Sequence, residues 1–313
     1  MRTVTINKVI TKKMENWLKT ITDLTLRNAV RDSIVVTGGC ITSMLLGEDP
    51  NDYDVYLRDA KLCKRLTEYY LAEMGHQDVP VYLTDKTGNF EINEDFNDKC
   101  DELYVSPFIE SNGYLSDKDI YSDEEVEAVL KEDELTPSEV VNSSDKVEKK
   151  YRPVFITSNA VTLSDQVQFI TRFCGDPEVI HTNFDFHHTK MYWTKETGVV
   201  TNAQSLECVL AKRLIYTGSK FPLCSIIRTR KFIERGWTID AGQYVKMAIQ
   251  MNGFDLLEPK TLVQQLIGVD TTYFAWLLDE MTKPEHLTDE GKIDANHAMN
   301  LINYMFDSVK EDV

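Results

Sequence analysis

The stretch VVTGGCITSMLLGEDPNDYDVYL, residues 35–57, decides how the rest of this 313-residue chain is read. It opens as a β-branched run ending in Gly38 and Gly39, the pattern of a buried strand entering a tight turn. CITSMLLG then reads as one short helix closed by Gly47, and after the turn-rich EDPN the segment DYDVYL alternates as a strand does. Asp52 and Asp54 stand two apart on that strand, which puts both carboxylates on one face and Tyr53 and Val55 on the other. Such a pair suits a divalent cation. Magnesium takes oxygen ligands and keeps substrate phosphates in its shell, and two such ions can clamp the attacking and leaving oxygens of a phosphoryl transfer. Manganese accepts the same donors. Gly38 and Gly39 let the backbone approach a phosphate closely, and the helix beginning near Cys40 aims its N-terminus at the same point.

Working outward, residues 11–32 have helical spacing and precede the first strand. Residues 60–74 form a helix with Leu62, Leu66, Tyr69, Tyr70 and Met74 near one face, and VPVYLT follows as a strand. From about 86 to 150 the pattern decays into acidic residues, serines and isolated aromatics. Only DEEVEAVLKEDE looks helical there, so the segment reads as a mobile insert. Order returns at YRPVFITSNAVTL. QVQFITRF is a strand led by Val167 and Phe169, DPEVIH a short helix, and NFDFHHTKMYW a further strand. Beyond 203 the chain reads as almost wholly helical. These elements predict an α/β (α+β) domain over 1–200, carrying the insert at 86–150, and a helical C-terminal domain over 201–313.

Composition sets further bounds. Hydrophobic residues at 42% and charged residues at 27% are ordinary for a soluble domain, and no apolar run reaches the roughly 20 residues of a membrane span. The N-terminal segment lacks the continuous apolar stretch of a signal peptide, which predicts a cytoplasmic protein. Six cysteines without a CxxC pair argue against structural zinc and against a disulfide framework, and Cys40 reads as a small buried residue. Residues 91–150 hold 19 Asp and Glu against 6 Lys, a net −13 of the chain's −17, so the acidity belongs mostly to one segment. That matters because a nucleic-acid partner needs lysine and arginine to meet its phosphates.

The GG turn, the short helix and the DxD strand together resemble the signature of the DNA polymerase beta superfamily of nucleotidyltransferases. Within it, GGCITSMLLGEDPNDYDVYL is most similar to the head domain of CCA-adding enzymes and bacterial poly(A) polymerases, whose pattern is GGxVRDxLLG followed by DxD. Thr42 and Ser43 stand where that pattern has Arg-Asp, and no later nucleotide-selecting motif is found, so base preference does not carry over. The resemblance implies a polymerase-beta-like core with a mixed sheet. It also implies Asp52 and Asp54 as ligands of two magnesium ions, with Gly38, Gly39, Thr42 and Ser43 against the nucleotide. A third carboxylate on a later strand is implied as well. Asp185 in NFDFHH is the candidate, binding the second metal and helping to deprotonate the attacking hydroxyl. The run SNAVTL, QFITRFCGDPEVIH and FDFHH also resembles nucleotidyltransferases encoded by bacteriophages, which adds a phage-infected bacterium to the expected settings. His181, His187 and His188 read as hydrogen-bonded structural residues.

Residues 212–246 carry eight Lys or Arg against Glu234 and Asp240. On SIIRTRKFIERG, Arg228, Lys231 and Arg235 share one helical face, with Ile226 and Ile233 opposite. Lys212, Arg228 and Lys231 are therefore candidates for binding a triphosphate or an RNA backbone, while a solvated face or a partner for the acidic insert fits the same pattern. The expected reaction is transfer of a nucleoside monophosphate from an NTP such as ATP, with release of pyrophosphate. By family analogy the expected acceptor is an RNA 3′ end such as that of tRNA. A protein or small-molecule acceptor is one rival, and a catalytically silent interaction protein on the same fold is the other.

Overall fold

The computed structural model describes residues 2–84, 104–107, 114–115, 150–157, 159–266 and 272–307. They divide into two compact units, with the boundary between Ala211 and Lys212.

The first unit opens with α1 (Thr3–Leu18), whose Ile6, Ile10, Met14 and Trp17 recur at helical spacing and are buried. The helical run expected over 11–32 is two helices. The chain breaks after Leu18 and restarts at α2 (Leu24–Ser33), because Asp23 turns its carboxylate to accept from the Thr25 and Leu26 amides at 2.8 and 2.9 Å. Next come β1 (Ile34–Thr37), α3 (Gly39–Leu46), β2 (Tyr53–Leu57) and α4 (Ala60–Glu73), as the sequence predicts. Gly47 closes α3 in the left-handed conformation, at φ 82°.

Two strands fall inside the expected insert. β3 (Val81–Thr84) pairs antiparallel with β4 (Tyr104–Pro107), and β5 (Tyr114–Leu115) pairs with β6 (Pro153–Ile156). Averaging charge over the whole segment hid these short strands; removing 91–150 would take β4 and β5 away from their partners. The predicted helix DEEVEAVLKEDE lies outside the described residues. After β6 follow β7 (Ala160–Leu163), β8 (Val167–Ile170) and the short helix α5 (Pro177–His181). The strand expected over NFDFHHTKMYW is confined to β9 (Tyr192–Thr194). Before it, His187–Thr189 make one 3-10 turn, closed by Thr189 Oγ1 donating to the Phe186 carbonyl at 2.8 Å. β10 (Gly198–Val200) and α6 (Ala203–Ala211) complete the unit.

Eight strands form one mixed sheet in the order β10-β9-β1-β2-β8-β7-β6-β5. Among its pairs only β2 with β8 is parallel. Paired residues share a face, so the register sorts side chains into rows. Trp193, Val36, Val55, Phe169 and Val161 form one row and are all buried. The helix α1 lies on this side, where Asn7 Oδ1 accepts from Trp193 Nε1 at 2.7 Å. The adjacent row, facing the other way, reads Tyr192, Thr37, Asp54, Gln168, Thr162.

In the second unit, α7 (Pro222–Glu234), α8 (Ala241–Met251), α9 (Pro259–Gln265), α10 (Thr272–Met281) and α11 (Ala295–Asp307) supply most of the structure. A small parallel pair, β11 (Arg213–Leu214) with β12 (Thr238–Ile239), joins them. Leu262, Leu266, Leu277, Met281, Ile293 and Ala298 form a buried cluster. The architecture is thus the mixed α/β core followed by a mostly helical region that the sequence predicts. No helix among the described residues is long and apolar enough to cross a membrane.

Candidate active site

The polar row is closed at one end and open at the other. Toward the base of β1 and β2, on the same face, Val35, Tyr56 and Ile180 are buried together, with Ile170, Phe173, Phe184 and Tyr192 packed around them. Helix α5 thus caps that end. At the Gly38 turn the face opens: Asp54, Gln168 and Thr162 are half-buried and Asp52, one residue ahead of β2, is exposed.

Gly38 is required where it stands. Its φ is 97°, and a Cβ there would lie 2.6 Å from Asp54 Oδ2. Any other residue would be strained and would also push on the carboxylate. Gly38 caps α3, whose Cys40, Ile41, Thr42, Ser43 and Met44 are buried, so the helix is anchored by its own body while its first turn faces Asp54. Thr42 Oγ1 donates to the His188 carbonyl at 2.6 Å, which fastens α3 to the 3-10 turn. Burial first, and then the charges of Asp54 and Asp52, push the Cys40 thiol well above its ordinary range. Cys40 therefore stays a neutral thiol.

Behind the carboxylates the strand is braced. Tyr53 is buried on the opposite face, with Lys13 Nζ 5.1 Å from its ring centroid; burial foremost raises the phenol to about 12. Beside Asp54, Thr37 Oγ1 donates to the Met191 carbonyl at 2.8 Å and lies 2.9 Å from His181 Nε2. With the hydroxyl proton committed to Met191, the imidazole donates its Nε2 proton to Thr37. Burial, followed by the charge of Lys190, lowers His181 to about 4, so the ring is neutral at neutral pH.

Asp185 is buried within a bend ahead of the 3-10 turn, not on a strand, and its charge acts on Lys190. Among the described residues no group of three or more His, Cys, Asp or Glu is set to hold a metal ion, so Asp185 is not gathered with Asp52 and Asp54 into a three-carboxylate site. Lys212, Arg228 and Lys231 belong to the second unit. Arg228, Lys231 and Arg235 are exposed on α7 and at its end. The buried positions of that helix include Ser225 and Thr229, whereas Ile233 is 46% exposed, so the inward face is not the one through Ile226 and Ile233. The Thr229 hydroxyl fixes this rotation through the Tyr244 hydroxyl of α8, 3.2 Å away. Gln168, beside Asp54, and Lys190, whose neighbouring carbonyls meet Thr37, escaped the sequence reading. Gln168 was visible as the polar alternate of VQFI; Lys190 had no local signal.

A profile of the Gabija anti-defense 2 family proteins matches residues 8–212, more than half of the chain and the whole span from Gly38 to Lys190. The chain belongs to the Gabija anti-defense 2 family. Solved structures similar to this family member include the Thermotoga maritima CCA-adding enzyme complexed with tRNA, at 10% identity and a TM-score of 0.36, over 96% of this chain and 62% of that one. A tRNA-processing enzyme with CTP matches at 12% identity and a TM-score of 0.33, over 72% of this chain and 44% of the other. A CCA-adding enzyme with CTP matches at 12% identity and a TM-score of 0.33, over 76% and 44%. The chain thus spans less than two thirds of the length of these structures. No curated protein matches the sequence.

Proposed function

We propose that this protein is a metal-dependent nucleotidyltransferase that transfers a nucleoside monophosphate from an NTP to an acceptor hydroxyl. The observation that carries this reading is Asp54 at the centre of an open polar row, its carboxylate packed against a glycine turn that only a residue without a side chain can make. The acceptor oxygen forms a bond to the α-phosphorus, the bond from that phosphorus to the oxygen bridging to the β-phosphate breaks, and pyrophosphate leaves with the electron pair.

Asp52 and Asp54 are an all-oxygen donor set beside a phosphate-admitting turn, which fits magnesium, an ion that fills its remaining positions with water and substrate oxygens. Magnesium bound there supplies charge neutralisation for the phosphates and acidifies the acceptor hydroxyl. Gly38 and Gly39 admit the phosphate chain to the first turn of α3. Thr37, held by His181 and Met191, fixes the end of β1 so that Asp54 cannot drift. Gln168 and Thr162, uncharged and in register beside Asp54, orient the acceptor. The acceptor proton passes to solvent at the open end of the row, where Asp52 is exposed.

Two acceptors have separate support. The motif resemblance favours an RNA 3′ hydroxyl, to which the exposed Arg228, Lys231 and Arg235 and the nearby Lys212 would add phosphate contacts. The family description favours a hydroxyl of the Gabija defence machinery itself. Incubating the protein and magnesium with each α-labelled NTP and extract from Gabija-carrying cells decides between them, because label enters either RNA or a protein band. RNA binding should also lose about one unit of salt slope for each phosphate contact removed at α7. Absence of label with every NTP, in wild type and Asp54→Ala alike, would overturn the reaction.

A further inference from the structure

The polar row is asymmetric about Asp54. On the β8 side stand the neutral Gln168 and Thr162; on the β1 side stand Thr37, the Gly38 turn and the chain around Lys190. Lys190 is held close to that turn by its neighbours. The hydroxyl of Thr37, the residue before Gly38, donates to Met191 O at 2.8 Å and lies 3.4 Å from Thr189 O, so the carbonyls on both sides of Lys190 meet it. The Lys190 backbone is fixed as well, its amide donating to the His187 carbonyl at 3.1 Å and its carbonyl accepting from Asn202 Nδ2 at 2.8 Å. The side chain is half-buried, and its charge reaches His181 and Asp185. Burial foremost lowers its pKa, against the attraction of Asp185. The Lys190 backbone thus passes the residue before the Gly38 turn, and a cation kept partly out of water is suited to an anionic ligand.

We infer that Lys190 is the cation of the first unit that binds the phosphates of the nucleoside triphosphate, on the β1 side of Asp54, leaving the β8 side to the uncharged acceptor group. The inference rests on the nucleotidyltransferase reading and assigns to it a residue that the sequence motifs do not contain. Asp185 is the charge that attracts Lys190, which gives that buried carboxylate a positioning role.

The test is equilibrium binding of magnesium-NTP and of magnesium-pyrophosphate to wild type, Lys190→Gln and Lys190→Arg, with thermal melts of each. Lys190→Gln keeps the apolar stem and drops the charge. It should weaken both ligands on the order of ten- to a hundredfold, as loss of a charge-assisted contact does. Lys190→Arg should retain most of the affinity, and binding of the uncharged nucleoside should not change in either variant. In the transfer reaction the loss should fall mainly on KM. If Lys190→Gln melts differently from wild type but binds pyrophosphate equally well, Lys190 is a structural partner of Asp185 and this inference fails, with the reaction itself untouched. Should Lys190→Gln not fold, equal binding by Lys190→Arg and wild type supports the assignment, and loss of binding by a folded Lys190→Arg overturns it. A wild-type protein that binds neither NTP nor pyrophosphate overturns both readings.

Discussion

Val36, Val55, Phe169 and Val161 lie in one cross-strand row of the sheet, and Thr37, Asp54, Gln168 and Thr162 lie in the next, one residue away on each strand. The first row is wholly buried on the side of α1; the second has its carboxylate, amide and one hydroxyl half-buried on the other face. Because side chains alternate along a strand, a shift of one residue separates the groups that hold the sheet together from the polar groups to which the proposed reaction is assigned. Substitutions in the two rows should therefore separate stability from activity.

The largest effect is expected in the polar row. Asp54→Ala removes a carboxylate from a site that needs charge stabilisation worth several kcal/mol, so transfer should fall on the order of a thousandfold. The melting temperature should hold or rise, because repulsion from Asp52 is relieved. Asp52→Ala should behave alike, and near wild-type transfer by either variant would remove the assignment. In the apolar row, Phe169→Ala should cost about 3 to 5 kcal/mol by urea unfolding, with transfer per folded molecule retained. Loss of transfer in a fully folded Phe169→Ala would show that the rows are not separable.

Gly38→Ala tests the junction between them. The strain of φ 97° costs about 1 to 3 kcal/mol, and the new methyl, 2.6 Å from Asp54 Oδ2, must displace the carboxylate. Transfer should drop far more than stability does; a variant that loses only stability would show that Asp54 tolerates movement.

The smallest effect concerns His181. Its folded value of about 4 lies below the ordinary 6.5, so between these values the unfolded chain takes up a proton that the folded chain refuses. This contribution to stability is full above pH 6.5 and declines as pH falls toward 4. In His181→Gln the fall in urea midpoint over that window should be shallower than in wild type. Parallel slopes would mean that His181 titrates normally in the folded protein.

Some elements were legible because their signals are local. The periodic pattern runs on through Asp23, yet that single side chain, turned onto two amides, starts a second helix and overrides it. NFDFHHTKMYW has strand-like composition, yet Thr189 bonding to Phe186 closes a turn within it, and this moved Asp185 off the strand on which it was expected. The strands β4 and β5 were masked by the charge around them.

By itself the sequence determined the strand, turn, helix and strand of residues 35–57, and with them the glycine and the two aspartates of the site, because each depends on spacing within a few residues. Tertiary structure alone decided that Gln168 stands beside Asp54 and that Thr37 is held between His181 and Met191, at sequence separations of 144 and 154 residues. It likewise decided that the carbonyls on both sides of Lys190 meet Thr37, the residue before Gly38. Such neighbours are set by strand register and by the path of the chain across the sheet, and neither leaves a periodic trace in the residues themselves.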